Sequence, residues 1–299
     1  VSCEWLAANL RRPQLRVVDA TWFLPNSPFA CPVEGSSAAA LHAQGPRLPG
    51  AVFLDTDGVA DTKVPLPHMM PTPEILGKAL AELGISRATE VVVYDRVGVF
   101  SSPRLWYTLK AYGFPSVAVL DGGLPLWLGQ GRETEEGPAA PPAPVPEESW
   151  TLNERMVWDL DRVVANVMEP SALLVDARPA GRFTGAVPEA RAGLRSGRIP
   201  GSANLPFMEL LTLDKTMKSP EDIAATFKRA GVALEASARP IVTSCGSGLT
   251  ACIVGLALRQ LDYPIEERWS VYDGSWSEYG GREDTPIVRT GADGKDEPV

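Results

Sequence analysis

The sequence predicts an α/β protein built twice: two tandem domains, each a mainly parallel sheet with helices on both faces. Three observations carry this expectation. Short apolar, β-prone runs alternate with helical stretches along the chain, the pattern of strands joined by helical crossovers. Five local signals recur in one order, spaced by roughly 147 to 157 residues. Between the two series lies Gly137-Pro-Ala-Ala-Pro-Pro-Ala-Pro-Val-Pro146, flanked by five glutamates. Such a stretch reads as an extended, partly stiff, solvated tether, because its composition cannot build a core. The division is residues 1–131, a linker at 132–150, a second domain at 151–290 and a polar tail at 291–299.

In the first half, Ser2 to Leu10 reads as an amphipathic helix with Trp5, Leu6 and Leu10 inward. Leu15 to Ala20 is a strand, and Trp22 to Pro49, rich in Pro, Ser and Ala, is a loop with one helical turn. Leu48 to Asp55 is a turn into a second strand. Thr72-Pro-Glu-Ile75 is a helix start with a hydroxyl cap, proline in the first turn and an acid behind it, and the helix stops near Gly84. Glu90 to Asp95 is a strand, Ser102 to Tyr112 a helix, and Val117 to Leu120 a strand that ends in Asp121-Gly-Gly.

The second half repeats these signals. Leu173-Leu-Val-Asp-Ala177 echoes Val17 to Ala20, and Ile199-Pro-Gly-Ser-Ala203 echoes Leu48 to Ala51. Ser219-Pro-Glu-Asp-Ile223 echoes Thr72 to Ile75, Ile241 to Cys245 echoes Val91 to Asp95, and Tyr272 to Trp276 echoes Leu120 to Leu124.

Composition excludes several classes of function. The net charge of -9 argues against a nucleic-acid or anionic-membrane surface. No apolar run approaches the roughly 20 residues that span a bilayer. Four cysteines in 299 residues do not make a secreted disulfide framework, so a reducing compartment is expected. With two histidines and no cysteine–histidine cluster at ligand spacing, neither a metal nor another cofactor is expected. The chain starts at Val1 rather than methionine, as a processed form would, so a targeting peptide would lie outside it.

The stretch with the sharpest chemistry is Ile241 to Leu261. A buried strand ends at Ser244, Cys245 opens the turn Gly246-Ser247-Gly248, and an apolar helix follows. Backbone N–H groups of such a turn form a nest for negative charge, and the positive end of the helix dipole adds to it. A thiol held there is favoured as the thiolate, a reactive nucleophile. Ligands of parallel sheets sit at the carboxyl ends of the strands, where Cys245 is. In the first copy Asp95 takes its place, so only the second copy carries a sulfur nucleophile.

Cys245-Gly-Ser-Gly-Leu-Thr-Ala251 resembles the active-site loop of the two-domain rhodanese family, with Leu249 for the usual valine. Gly181-Arg-Phe183, Pro188-Glu-Ala-Arg191, Ser101-Ser-Pro-Arg104, Leu66-Pro-His-Met69 and Tyr272-Asp-Gly-Ser-Trp276 extend the resemblance over about Val1 to Val288. Two departures stand out: Arg47 and Arg198 occupy the histidine places of the family's His-Ile-Pro-Gly motifs, and Tyr279 replaces a tryptophan. These positions look structural.

The resemblance implies two rhodanese-like domains and a sulfurtransferase that works through a persulfide on Cys245. The loop residues Gly246, Gly248, Leu249 and Thr250 are then expected to hold the substrate, with Arg182 and Arg191 as clamps for an α-keto carboxylate, whose planar form suits guanidinium forks. Ser247, His68 and Asp57 match the family's proton relay across the two domains. Members that use thiosulfate tend to carry basic residues after the cysteine, whereas Gly246 and Ser247 are neutral. That favours 3-mercaptopyruvate over thiosulfate as donor, with thioredoxin, another thiol or cyanide as acceptor. The compartments implied are mitochondrial or cytoplasmic. A related cysteine phosphatase is disfavoured because Ala251 stands where its loop needs arginine, and a non-catalytic persulfide carrier is the remaining alternative. Cys252, seven residues after Cys245, reads as core filling before a resolving thiol, and Trp106, Tyr107, Trp127 and Trp276 read as core or interdomain aromatics.

Overall fold

The computed structural model describes residues 1–299. The chain forms two compact units. The first comprises Val1–Asp61, Met70–Asn153 and Leu213–Met217, and the second comprises Thr62–Met69, Glu154–Thr212 and Lys218–Val299. No helix is long and apolar enough to cross a membrane.

The first unit holds α1 (Cys3–Asn9), β1 (Leu15–Asp19), α2 (Ala38–Gln44), β2 (Val52–Phe53), α3 (Pro73–Glu82), β3 (Glu90–Tyr94), α4 (Ser102–Ala111), β4 (Val117–Val119) and α5 (Gly123–Gly129). Its sheet order is β2-β1-β3-β4, all parallel. The second unit holds β5 (Val157–Trp158), α6 (Leu160–Met168), β6 (Leu173–Asp176), α7 (Ala180–Phe183), β7 (Ala203–Asn204), α8 (Pro220–Arg229), β8 (Ile241–Ser244), α9 (Ala251–Gln260), α10 (Ile265–Arg268), β9 (Trp269–Tyr272) and α11 (Ser275–Tyr279). Its order, β5-β9-β8-β6-β7, is the first sheet read from the other edge with β5 added. The five echoes therefore fall on equivalent elements. Thr72 and Ser219 both cap their helices by accepting from the backbone N–H three residues on.

The central strands read as continuous apolar runs because both faces are covered. Val91, Val92, Val93 and Tyr94 on β3 are buried, as are Ile241 to Ser244 on β8. Trp106, Tyr107, Trp127 and Trp276 are core, and Cys252 is fully buried with its thiol on the Gly248 carbonyl.

Several local expectations change. Trp5 faces solvent, and Cys3 takes the inward position beside Leu6. The long loop after β1 contains nearly two turns of helix, capped by Ser37, rather than one. Asp121-Gly-Gly leads into α5, a helix not expected from the sequence, because Gly122 and Gly123 take positive φ and turn the chain back on itself.

The Pro- and Glu-rich stretch has no regular structure, yet it is no loose tether. Val145 donates to the Ala81 carbonyl, Glu148 accepts from the backbone N–H of Arg87, and Trp150 is buried against Phe114 beneath the Arg87 guanidinium. The polar tail forms a hairpin of β10 (Val288–Thr290) with β11 (Asp296–Pro298), where Asp296 pairs with Arg198. Arg47 and Arg198 are buried ties between loops: Arg47 donates to the carbonyls of His42 and Gly137, and Arg198 to those of Phe183 and the hydroxyl of Thr290.

The strand-end loop of the first unit shows what this loop type needs. The Asp95 carboxylate, fully buried, accepts from the backbone N–H groups of Val97, Gly98, Phe100, Ser101 and Ser102 at 2.9–3.0 Å, and from Ser102 Oγ at 2.7 Å. Removing the carboxylate would strand these donors in the core, where each unmet donor costs about 1–3 kcal/mol. Asp95→Ala is therefore expected to lose about 3 kcal/mol or more, with Asp95→Asn intermediate. Urea unfolding of the two variants beside the parent chain measures this.

Candidate active site

Cys245 begins the turn one residue after β8, where Ser244 pairs with Asp176 of β6 in parallel register. It is 2% exposed. Its carbonyl accepts from the Trp276 N–H at 3.0 Å, and the Gly246 carbonyl accepts from Ser277 N–H at 2.8 Å and Ser277 Oγ at 2.6 Å. In a trans peptide the N–H points opposite to the C=O. Tying these carbonyls to the start of α11 therefore turns the N–H groups of Gly246 and Ser247 the other way. The Cys245 N–H itself rests on Ser275 Oγ at 3.3 Å, and that hydroxyl is held by the Tyr272 carbonyl at 2.8 Å. Gly248 has φ of 73°, a conformation that disfavours any side chain. Leu249 is buried in the core, and Thr250 precedes α9.

Asp95 gives an internal picture of this loop when filled. The Leu124 N–H donates to the Asp95 carbonyl as the Trp276 N–H does to that of Cys245. With Asp95 placed on Cys245, the donors to the carboxylate fall on Ser247, Gly248, Thr250, Ala251 and Cys252. A negative sulfur on Cys245 would face a related N–H array without Cys252, whose N–H donates to the Leu249 carbonyl at 3.2 Å.

Both arginines predicted as clamps reach this loop. A methyl group placed on Gly246 would lie 3.5 Å from Arg182 Nη2 and 3.5 Å from Arg191 Nη1. Arg191 Nη2 also donates to Ser247 Oγ at 3.3 Å. Arg182 is carried by the short helix α7, just after β6, and is held by Glu189 through Nε at 3.0 Å and through Nη2. Glu189 also accepts from Arg178 Nη1 at 2.7 Å. Arg178 is buried, chelates Asp176 and lies 4.0 Å over the Trp276 ring. Burial opposes its charge, but Asp176 and Glu189 overcome that and hold the guanidinium protonated. Burial likewise pushes the hydroxyls of Tyr272 and Tyr279 up, so both remain donors, to Glu278 and to the Pro286 carbonyl.

The relay residues are placed differently. His68 is buried in the segment Thr62–Met69, which packs with the second unit, whereas Asp57 belongs to the first, where Trp22 Nε1 donates to it at 2.8 Å. Sequence order had put both residues in the first domain. The repeat explains the grouping. His68 precedes the cap Thr72 by four residues, as Lys215 precedes Ser219, and both have φ near 60°. In the first unit, which includes Leu213–Met217, Lys215 presses on the Asp95 loop: a methyl group on Gly98 would meet its Cβ at 2.3 Å.

Sequence reasoning missed Glu189, Ser275 and Ser277. Glu189 lay within a quoted motif as the residue between two clamps, and its bond to Arg178 is legible only in three dimensions. The two serines carry no sequence signal beyond their place after Asp273-Gly274.

Comparison with known proteins finds the family model "Rhodanese-like domain" twice, at residues 2–130 and 159–281. Among curated proteins, the chain is 38% identical to the 3-mercaptopyruvate sulfurtransferase of Escherichia coli, over 96% of each chain. It is 37% identical to the Arabidopsis thaliana protein named thiosulfate/3-mercaptopyruvate sulfurtransferase 1, mitochondrial, over 96% of this chain and 77% of that one. Among solved structures it resembles SseA from Escherichia coli, described as a 3-mercaptopyruvate sulfotransferase, with a TM-score of 0.79, 36% identity, and 93% and 98% of the two chains covered.

Two glycines of the loop are expected to answer substitution differently. Gly248→Ala forces a side chain into left-handed backbone and should cost about 1–2 kcal/mol. Gly246→Ala meets the guanidiniums at ordinary contact distance, so stability is retained while sulfur transfer falls at least tenfold. Thermal unfolding and turnover, measured on both variants, separate the two effects.

Proposed function

This chain belongs to the family of rhodanese-like domains, present here in tandem, and on that premise we propose that it moves sulfur from 3-mercaptopyruvate to a thiol acceptor through a Cys245 persulfide, releasing pyruvate. The observation that carries the reading is the convergence of Arg182 and Arg191 on Gly246, beside the buried Cys245. A carboxylate held by the two guanidiniums would present its neighbouring atoms to the sulfur.

In the first half-reaction the Cys245 thiolate attacks the donor sulfur. An S–S bond forms, the C–S bond breaks, and its electron pair leaves as the pyruvate enolate. The donor's thiol proton ends on that enolate carbon, giving pyruvate and Cys245-S-S⁻. The loop N–H groups stabilise the persulfide charge as their counterparts stabilise Asp95. In the second half-reaction an acceptor thiolate takes the outer sulfur, and the S–S electron pair returns to Cys245. Thioredoxin is the acceptor we propose, with cyanide as a simple substitute.

The proton transfer is assigned to Ser247 and His68, a hydroxyl and an imidazole of the second unit. His68's place in the repeat, matching that of Lys215 against the Asp95 loop, supports this role. Gly248, Leu249 and Thr250 shape the loop around the sulfur. All four cysteines are free thiols, which suits a reducing mitochondrial or cytoplasmic compartment. Thiosulfate would use the same nucleophile. As a dianion it lacks a basic side chain at 246 or 247 to meet its second charge.

Turnover with each donor tests the reading: kcat/KM for 3-mercaptopyruvate should exceed that for thiosulfate, and the reverse order would overturn it. Mass spectrometry after mercaptopyruvate alone should show one added sulfur on Cys245 and none in Cys245→Ser. Arg191→Ala is expected to raise KM for mercaptopyruvate about tenfold or more, the loss of a charge-assisted pair. Alkylation of Cys245 by iodoacetamide should stay near the parent rate. If turnover and alkylation fall together, Arg191 supports the loop rather than the substrate.

A further inference from the structure

We propose that the β10–β11 hairpin is a strap on the substrate clamp, with Arg198 and Asp296 as positioning residues that hold α7 where Arg182 faces Gly246. This deepens the sulfur-transfer reading and rests on it. α7 is a single turn, Ala180–Phe183, with no side-chain cap and no buried residue. So short a helix does not stand by itself in water, and apolar burial does not hold it here. Its far end is held by bonds instead. The Phe183 carbonyl accepts from Arg198 Nη1 at 3.4 Å, and the Arg198 guanidinium lies 4.7 Å over the Phe183 ring. The next carbonyl, that of Thr184, accepts from the Thr290 N–H of β10 at 2.9 Å. Arg182, the clamp, is the residue before Phe183.

Arg198 is in turn aimed by the hairpin. Thr290 and Asp296 stand opposite each other in its antiparallel ladder. Thr290 Oγ1 accepts from Arg198 Nη1 at 3.1 Å, and Asp296 accepts from Nη2. The Arg198 side chain is buried while that of Asp296 is half exposed. No residue of either strand is buried, so the hairpin is not a cover for the core. Its hydrogen bonds out of the ladder reach Thr184 and Arg198, and Val288 and Arg198 exchange both backbone bonds at 2.8 and 3.1 Å. Beside them a methyl group on Gly197 would meet the Val288 carbonyl oxygen at 2.6 Å, and the Gly197 carbonyl accepts from Arg178 Nη2 at 2.8 Å. One strand thus leans both on the end of α7 and on the cluster behind it. Glu189 fixes the guanidinium at the tip of the Arg182 side chain, and the strap fixes the backbone at its root. Arg198 and Asp296 touch no reacting atom in this scheme; they act through Arg182.

Arg182 would grip the donor carboxylate before and during the reaction alike, so loosening its root weakens binding rather than the chemical step. Asp296→Asn keeps the shape and removes the charge. KM for mercaptopyruvate is expected to rise about threefold to fivefold in this variant, the size of one partly exposed ion pair, with kcat within about twofold of the parent. Asp296→Glu, which keeps the charge, should retain a KM near that of the parent. Two readouts do not depend on the donor. Deuterium exchange at residues 180–185 should quicken in Asp296→Asn, and Cys245 alkylation by anionic iodoacetate should slow relative to neutral iodoacetamide by a factor similar to the rise in KM. If the parent chain fails to turn over mercaptopyruvate while both readouts shift, the functional reading fails and the strap stands. An unchanged KM and alkylation ratio in a folded Asp296→Asn, even with faster exchange, would overturn the proposal. Thr290→Val, which removes the hydroxyl that Arg198 binds, is a second variant with the same expectations. Loss of folding in both would overturn the proposal too, making the hairpin a requirement of the fold.

Discussion

A cluster of backbone N–H groups at the end of a central strand requires a negative charge, and both halves of this chain are arranged around that requirement. In the first unit the charge is covalently supplied, with six donors closing on the Asp95 carboxylate. In the second unit the same strand position carries Cys245, a buried thiol with no carboxylate of its own to close the loop. One loop type thus gives a closed structural knot in one place and leaves a buried cysteine at the matching place in the other. The difference is a side chain: a carboxylate fills the loop as a hydrogen-bond acceptor, whereas sulfur can form and break bonds.

The supports of the loop follow the same logic. Carbonyls of Cys245 and Gly246 are bound by the backbone of Trp276 and Ser277, so the loop's donors are directed away from α11. Behind β6, Arg178, Asp176 and Glu189 form a buried charged cluster. Burying such ions costs several kcal/mol each unless they are paired and hydrogen-bonded. Here every charge has a partner, and the partners fix where Arg182 can stand. The cluster is thus a means of aiming an arginine as much as a source of stability. Exchange of short segments in the sequence order completes each unit: Leu213–Met217 joins the first and Thr62–Met69 the second. In the first case Lys215 lies over the Phe29 ring and against Gly98.

Much of this was legible from residues alone. The doubled α/β organisation followed from five ordered echoes, because each echo marks a local rule: a capped helix start, a buried strand, a tight turn. Cys245 stood out because a cysteine before Gly246 and Gly248 at a strand end has few purely structural uses. Arg182 and Arg191 were found through resemblance, and their convergence on Gly246 is a matter of geometry. Trp5 and the Pro-rich stretch were misjudged for one reason. Local composition says whether a segment can be buried, but not whether a surface such as Phe114 and Arg87 is waiting for it.

By itself, then, the sequence determined most of the elements, their order, their duplication and the place of Cys245 at the end of a central strand, since these depend on periodicity and on residues a few positions apart. Only the tertiary structure decided that Asp95 fills its own loop, that Glu189 joins Arg178 to Arg182, and that His68 groups with the second unit while Asp57 stays with the first. The physical reason is range. Caps, strands and turns are fixed by neighbours along the chain, whereas the pairing of a buried charge is fixed by whichever opposite charge the packing of distant segments brings within about 3 Å.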